Sequence, residues 1–311
     1  LYIATGSLNM ADIASILPNL PSTQPIVFAF ILCLVGLFIK MALFPLHGWL
    51  PNAYSYSPSA AVGLIAPLTT KVMIYVMIRL VFSVFTPAFS FSNQILANSI
   101  VIIASIAIIM GSFLALSQRN LSKMLAFIIV AEVGYMVGGF WLGNKDGMTG
   151  AILHIANDAI MTLCLFLALG NITFKRCAET IDDLRGITGK MPVSFAILLI
   201  GGFSIIGVPP TCGFFSKWYL IKGAFVAGHW GFIIALLISS LVSVVLFFRL
   251  IEAAYFGKEH HNGHTPDSTG ISEAPLLMLI PGVITAALIF ILGIFTKPIV
   301  TGIIHIVVPQ G

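Results

Sequence analysis

Six ionisable side chains lie inside long apolar runs of the sequence. They are Lys40, Lys71, Glu132, His154, Asp158 and Lys217. A charged side chain near the centre of a bilayer costs roughly 2.5–3.5 kcal/mol on insertion scales, so such residues usually face a protein interior or a water-filled path. Lysine, histidine and carboxylate groups all change charge when they take or release a proton. We therefore interpret the six residues as candidate members of a proton relay.

Each of these residues also has a simpler structural interpretation. A lysine can extend its ammonium group to the membrane interface, and polar pairs can hydrogen-bond helices together without moving protons. Lys71 lies deeper in its run than Arg79, so its ammonium is poorly placed to reach the interface. His154 and Asp158 are four residues apart, so they are expected to share a helix face and bond to each other. Glu132 serves either as a proton carrier or as a structural hydrogen-bonding group.

Residues 191–226 combine an apolar run with a break. Pro209 and Pro210 interrupt the run, and Lys217 follows them. Backbone groups freed by such a break must find partners in protein or water, because lipid offers none. Transporters often build a site near the midplane from a broken helix. This stretch therefore predicts an interrupted helix that carries a site.

The same pattern occurs near the start of the chain. Residues 36–43 and 213–220 both read G-x-F-x-K-x-x-L, and each pattern lies beside prolines. Two broken, lysine-bearing segments in corresponding positions predict an internal repeat with a site between its halves.

Composition indicates the class of protein. Of 311 residues, 59% are hydrophobic and 8% are charged, and the mean hydropathy is +1.06, which is typical of a multi-pass membrane protein. The net charge is only +4, so nucleic-acid binding has no support. The cysteines lack disulfide or metal-ligand spacing, and no nucleotide, flavin, quinone or phosphate motif occurs, so no cofactor or metal is predicted. Because the chain begins at Leu1 without a signal peptide, we expect it to be the C-terminal part of a longer protein.

The apolar runs predict an all-α polytopic membrane protein with about eight crossings, two of them interrupted. The crossings are expected near residues 26–43 (followed by a half-helix at 50–56), 57–84, 94–116, 121–142, 148–172, 191–226, 230–256 and 275–295. Residues 257–272 are expected to form a hydrophilic loop, and residues 297–311 are not assigned a span. His260, His261 and His264 are interpreted as solvated loop residues rather than metal ligands.

Four segments resemble a known family. They are GLFIKMALFPLHGWLPNAYSYSPSA, LSQRNLSKMLAFIIVAEVGYM, GAILHIANDAIMTLCLFLALGNI and VPPTCGFFSKWYLIKGA, in that order along the chain. They resemble segments of the antiporter-like proton-conducting membrane subunits. This family is shared by NADH–quinone oxidoreductase, membrane-bound hydrogenases and Mrp-type multisubunit Na⁺/H⁺ antiporters.

The resemblance implies roles for four of the candidates. Lys40 and Lys217 correspond to the lysines of the two broken helices, Lys71 to the connecting lysine and His154 to the histidine of the second half. The family glutamate that pairs with the first of these lysines would lie before Leu1. The sequence departs from the family pattern in the middle, and Glu132 and Asp158 are expected to share the relay there. The departures are Ile65 and Asp158 in place of histidines and Thr162 in place of a lysine.

The resemblance also implies an architecture of two inverted five-helix repeats, each with a proton half-channel. Residues 1–93 would then hold the end of the first repeat and residues 94–256 the second. Residues 257–311 would add a loop and a C-terminal transmembrane helix.

Three functional hypotheses follow. The segment GFFSKWYL resembles the D-type Mrp subunit, so the leading hypothesis is a proton-translocating subunit of a Mrp-type Na⁺/H⁺ antiporter in the plasma membrane. Its partners would be other membrane subunits, protons and Na⁺. The second is a proton-pumping arm subunit of NADH–quinone oxidoreductase or a membrane-bound hydrogenase. The third is a non-conducting membrane scaffold.

Basic residues predict the orientation. Loops on one side are expected to hold Arg119, Lys123, Lys175, Arg176, Arg185, Lys190 and Lys258, against Lys145 and Lys297 on the other. The positive-inside rule places the richer side in the cytoplasm. An impermeant thiol reagent added outside the cell should therefore label Lys145→Cys and not Gly263→Cys. Labelling of the second position alone would reverse the orientation.

Overall fold

A computed structural model of the chain describes residues 1–20, 24–256 and 271–307. These residues are mostly helical, and within them extended pairing is limited to an isolated bridge between Asn120 and Thr180. Almost all of the expected loop at residues 257–272 lies outside the described residues. Lys258 and the three loop histidines, His260, His261 and His264, are part of that stretch.

The helices in the described ranges follow one another with short connections. They are α1 (Tyr2–Thr5), α2 (Met10–Ile16), α3 (Gln24–Lys40), α4 (Trp49–Tyr56), α5 (Ser59–Ser83), α6 (Pro87–Ser90), α7 (Gln94–Ser117), α8 (Leu121–Trp141), α9 (Lys145–Arg176), α10 (Ile187–Lys190), α11 (Pro192–Ile206), α12 (Cys212–Ala227), α13 (Trp230–Phe256), α14 (Leu276–Ile294), α15 (Thr296–Ile299) and α16 (His305–Val307).

Within the described ranges, six helices are long and apolar enough to cross a membrane. They are α5, α7, α8, α9, α13 and α14. The two interrupted elements, α3 with α4 and α11 with α12, consist of shorter pieces. A helical membrane protein is therefore confirmed, and the total of about eight crossings stays a prediction.

Asparagine caps the first turn of three long helices. The side-chain oxygens of Asn93, Asn120 and Asn144 accept hydrogen bonds from backbone N–H groups of α7, α8 and α9, at 3.1, 3.0 and 2.8 Å. An N-cap side chain satisfies one of the N–H groups that a helix start leaves without a partner. These caps explain why the three helices begin close to the positions that the apolar runs predict.

Helix α8 lies at the centre of the bundle. It contacts α4, α5, α7, α9, α12 and α13, and nearly all of its residues are buried. Its pairing with α7 depends on small residues. A Cβ atom on Gly134 would lie 2.9 Å from the carbonyl oxygen of Ala104, and one on Gly111 would lie 2.7 Å from the backbone nitrogen of Ala131. Small residues at such positions let membrane helices approach closely.

Both predicted breaks are present. The first separates α3 from α4, and the indole N–H of Trp49 donates across it to the carbonyl oxygen of Ile39 at 2.9 Å. The second follows α11, where Gly207 has a φ of +92° and ends the helix in the left-handed conformation that glycine favours. A Cβ atom on Gly213 would overlap the carbonyl oxygen of Ser204 at 1.9 Å, so this position requires glycine.

Backbone contacts gather most of the predicted basic loops at one end of the bundle. Leu121 N–H donates to the carbonyl oxygen of Glu179, and Ile181 N–H donates to that of Arg119. The guanidinium of Arg249 donates to the carbonyl oxygen of Leu116 at 3.2 Å. We call this the basic end. It contains the C-termini of α7, α9 and α13 and the N-termini of α8 and α11.

The opposite end holds one basic residue more than the sequence pattern counted. Lys222, near the end of α12, lies 3.1 Å from the carboxylate of Asp146 at the start of α9. Arg249, which the sequence pattern also left out, adds one residue to the basic end, so the direction of the asymmetry is unchanged. Which end faces the cytoplasm stays a prediction.

The N-terminus of α11 is capped by a residue distant in sequence. Glu273 accepts hydrogen bonds from the Val193 and Ser194 N–H groups and from the Ser194 hydroxyl. We expect Glu273→Ala to lower the thermal stability of the detergent-solubilised protein by about 0.5–2 kcal/mol, the range for a lost N-cap. Glu252→Ala, on the exposed face of α13, is the control. Equal midpoints for the two variants would show that the cap contributes nothing.

Candidate functional site

Five of the six candidate residues lie inside the bundle. Lys71 is on α5, Glu132 on α8, His154 and Asp158 on α9, and Lys217 on α12. Each is at most 6% exposed. They belong to α8 and α9 and to helices packed against these two, so the structure brings them into one buried region.

Lys71 and Asp158 form a buried ion pair between α5 and α9. The ammonium nitrogen lies 2.8 Å from Asp158 Oδ2 and 3.2 Å from the hydroxyl oxygen of Thr162. The same hydroxyl donates to Asp158 Oδ1 at 2.9 Å. Thr162 stands where the family resemblance leads one to expect a lysine, and here it links both members of the pair.

Glu132 and His154 form a second buried pair, between α8 and α9. Nε2 of His154 contacts Oε2 of Glu132 directly, and Nδ1 lies 2.8 Å from the hydroxyl oxygen of Ser216 on α12. The contact persists whichever group holds the proton, because an imidazole N–H donates to a carboxylate and a carboxylic acid donates to an imidazole. This arrangement can store one shared proton without a large movement.

The prediction that His154 and Asp158 bond to each other is wrong. They share a face of α9, as their spacing predicts, but each bonds to a different neighbouring helix. The histidine pairs with Glu132 and the aspartate with Lys71. Each group therefore has an ionisable partner on an adjacent helix instead of the other residue on its own face.

Lys217 is held by the break itself. Its ammonium donates to the carbonyl oxygen of Ile205, lies 3.5 Å from that of Ile206 and lies 3.1 Å from the hydroxyl of Ser240. These carbonyls belong to the last turn of α11, where no further helical N–H reaches them. The negative end of the α11 dipole also favours a cation there. The break therefore supplies the oxygen atoms that the lysine needs.

Tyr135 connects these groups, and the sequence reasoning missed it. Its ring centroid lies 4.9 Å from Lys217 Nζ and 5.4 Å from the centroid of the His154 ring. A signal existed, because Tyr135 follows Glu132 by three residues and so shares its helix face. Ser216 and Ser240 were also missed, and nothing local in the sequence distinguishes these serines from others.

Lys40 stands apart from the buried groups. It is the last residue of α3, its side chain is exposed on the outer surface, and no described residue bonds to it. Ile65, at another position where the family pattern is altered, is 49% exposed and also lies outside the buried region. The prediction that Lys40 belongs to the relay is not tested by these contacts.

The described residues offer no obvious metal site. Within residues 1–20, 24–256 and 271–307, no group of three His, Cys, Asp or Glu side chains is close enough to hold an ion. The four cysteines, Cys33, Cys164, Cys177 and Cys212, are free thiols.

Fold and buried groups together define the class: a multi-pass helical membrane protein with ionisable side chains in its core. The chain belongs to the NADH:quinone oxidoreductase/Mrp antiporter transmembrane family, which matches residues 1–243.

Two curated relatives carry different names. The chain is 39% identical to the N-type subunit of NADH-quinone oxidoreductase from Desulforudis audaxviator, over 99% of this chain and 63% of the relative. It is 32% identical to the D-type subunit of a Na(+)/H(+) antiporter from Alkalihalophilus pseudofirmus, over 96% of this chain and 59% of the relative. The chain thus spans about three fifths of the length of these proteins.

Solved structures show the same fold. A chain of the Mrp complex from Dietzia sp. superposes with a TM-score of 0.84 at 22% identity, covering 96% of this chain and 61% of that one. A chain of the membrane-bound sulfane sulfur reductase, an archaeal respiratory membrane complex, gives 0.83 at 27% identity, covering 96% and 59%. The likeness to the Mrp chain shows fold alone.

The Lys71–Asp158 pair allows a test of how the site is held. Removing one member of a buried ion pair typically costs about 3–5 kcal/mol, whereas replacing both costs much less. We expect Lys71→Met to destabilise the protein strongly and the double variant Lys71→Met/Asp158→Asn to recover most of the loss. Thermal unfolding of the wild type, the two single variants and the double variant in detergent measures this coupling. Additive losses would show that the two groups do not interact.

Proposed function

We propose that this chain moves protons through the membrane as part of an antiporter-like subunit of a multisubunit complex. The observation that supports it best is the set of buried groups Lys71, Asp158, His154, Glu132 and Lys217. Each can take or release a proton, and each has a partner that stabilises its charge. Ionisable residues at membrane depth are functional by default.

The contacts suggest an order of transfer. Thr162 connects Lys71 with Asp158 through a hydroxyl that both accepts and donates. Asp158 and His154 are one helical turn apart on α9, and the Glu132–His154 pair shares one proton. Tyr135 then lies against both the His154 ring and Lys217. A charge change at one group alters the potential at the next, which is how a relay passes protons without moving helices.

Two assemblies fit this role. The 39% identity to an N-type oxidoreductase subunit favours a proton-pumping arm of a quinone-reducing complex. Lys217 and the surrounding GFFSKWYL segment, together with the 32% identity to a D-type antiporter subunit, favour a Mrp-type Na⁺/H⁺ antiporter. We give precedence to the first assembly because of its higher identity. In both assemblies the partners are other membrane subunits, and the protein lies in the plasma membrane.

The repeat organisation is part of the proposal. Residues 94–256 would form one inverted repeat and residues 1–93 the end of another, with residues 257–311 following. Lys40 would then act in the first half, covered by protein that bears an acidic group, since an ammonium facing lipid is costly.

Substitutions at Lys217 distinguish the proton-transport proposal from the scaffold hypothesis. In the assembled complex, Lys217→Ala removes the ammonium, and Lys217→Arg retains a charge that does not deprotonate at physiological pH. We expect both to lower proton transport in reconstituted vesicles by at least roughly a hundredfold, as for loss of a proton-transfer group. Lys222→Ala, on the same helix but exposed, is the control.

Normal transport by Lys217→Arg at unchanged assembly would mean that the residue supplies only fixed charge. Normal transport by Lys217→Ala would support the scaffold hypothesis instead. Quinone reductase activity coupled to pumping in the purified complex would favour the first assembly, and Na⁺-driven proton transport without any electron donor would favour the second.

A further inference from the structure

A small cavity lies beside Glu132. Helices α7, α8 and α13 enclose it, and its polar lining consists of Glu132, Ser112, Ser239 and Ser243. Its volume is about 10 Å³, which is the scale at which a cavity holds one water molecule. Apolar cavities stay dry, whereas cavities with several polar groups hold water.

Glu132 presents an unsatisfied oxygen at this place. Its Oε2 contacts His154, while no hydrogen bond from a described residue reaches its Oε1. The residue is 1% exposed, so bulk water does not satisfy that oxygen either. A carboxylate oxygen that has no protein partner and belongs to a cavity-lining residue can accept a hydrogen bond from a water in that cavity.

The hydroxyl groups beside the cavity form a directed chain. Tyr135 donates to Ser239 at 2.6 Å, and Ser112 donates to the carbonyl oxygen of Ile108 at 2.7 Å. Because each hydroxyl has one hydrogen, the 2.6 Å contact between Ser239 and Ser112 must be donated by Ser239. Ser112 and Ser239 therefore keep acceptor capacity for a water, and the chain ties Tyr135 to the cavity wall.

The cavity lies between Glu132 and the basic end. Its remaining lining is Ala131, next to Glu132, together with Ala115 on α7, Ile128 on α8 and Val242 and Leu246 on α13, and the last four are displaced from Glu132 toward that end. Arg249 follows one turn after Leu246 and donates to Leu116 at the C-terminus of α7. The cavity therefore lies on the side of Glu132 that faces the basic end.

We infer that this cavity is a water site through which Glu132 exchanges protons with the basic end of the bundle. The inference rests on the proposed function, and adds a second path to the relay. A protonated water in the cavity gives its proton to Oε1 of Glu132, which leaves a neutral water and a carboxylic acid. The carboxylate is restored when the Glu132–His154 pair passes a proton on toward Asp158 or Lys217.

The test combines a structure with transport by the assembled complex. Cryo-electron microscopy at a resolution that shows ordered water should reveal density within hydrogen-bond distance of Glu132 Oε1 and Ser243 Oγ. Ser243→Val, which fills the cavity, should lower proton transport by roughly tenfold or more. Ser243→Ala, which leaves room for the water, should lower it less. The matched control is Ser105→Val on α7, whose hydroxyl donates to the carbonyl oxygen four residues earlier, as that of Ser243 does.

Two results overturn the inference: an empty cavity in the wild-type structure, or transport by Ser243→Val equal to that of Ser105→Val. If Ser243→Val does not assemble, the water density and the Ser243→Ala rate still decide. Lys217→Ala is measured alongside. Loss of transport there with normal transport by Ser243→Val rejects the water path alone, whereas normal transport by both rejects the proposed function as well.

Discussion

A charge inside a bilayer must be compensated by the protein, because lipid supplies neither counter-charge nor hydrogen bonds. The bundle meets this requirement differently at each buried group. Asp158 and Thr162 compensate Lys71, His154 compensates Glu132, and the last carbonyls of α11 compensate Lys217. The central position of α8 and α9 follows from this need for compensation. These two helices carry the groups that side chains from neighbouring helices must reach.

The same requirement explains the break. In a continuous helix through residues 191–226 the carbonyls of Ile205 and Ile206 would face Pro209 and Pro210, which have no N–H to donate to them. Gly207 ends α11 instead, and α12 starts one turn further on with Lys217 directed back at those carbonyls. Buried ion pairs and broken helices do not in themselves make a membrane protein more stable. Their cost is consistent with selection for transport rather than for rigidity.

The sequence predicted the helices well because long apolar runs leave few alternatives. It also predicted which ionisable residues are buried, with the exception of Lys40, because burial at membrane depth follows from position in an apolar run. It did not predict the partners. The His154–Asp158 bond failed because spacing along one helix says nothing about what neighbouring helices offer. Tyr135, Ser216 and Ser240 enter the site only through tertiary packing, and a lone serine or tyrosine in an apolar run carries no signal of that.

The central claim is that the buried groups change protonation during transport rather than acting as fixed charges. Infrared difference spectroscopy of the assembled complex, compared between resting and transporting states, tests it most directly through the C=O band of a carboxylic acid. The account predicts a band change that disappears in Glu132→Gln and stays in a control variant such as Glu252→Gln. An identical difference spectrum in wild type and Glu132→Gln would contradict it, because Glu132 would then keep one protonation state throughout.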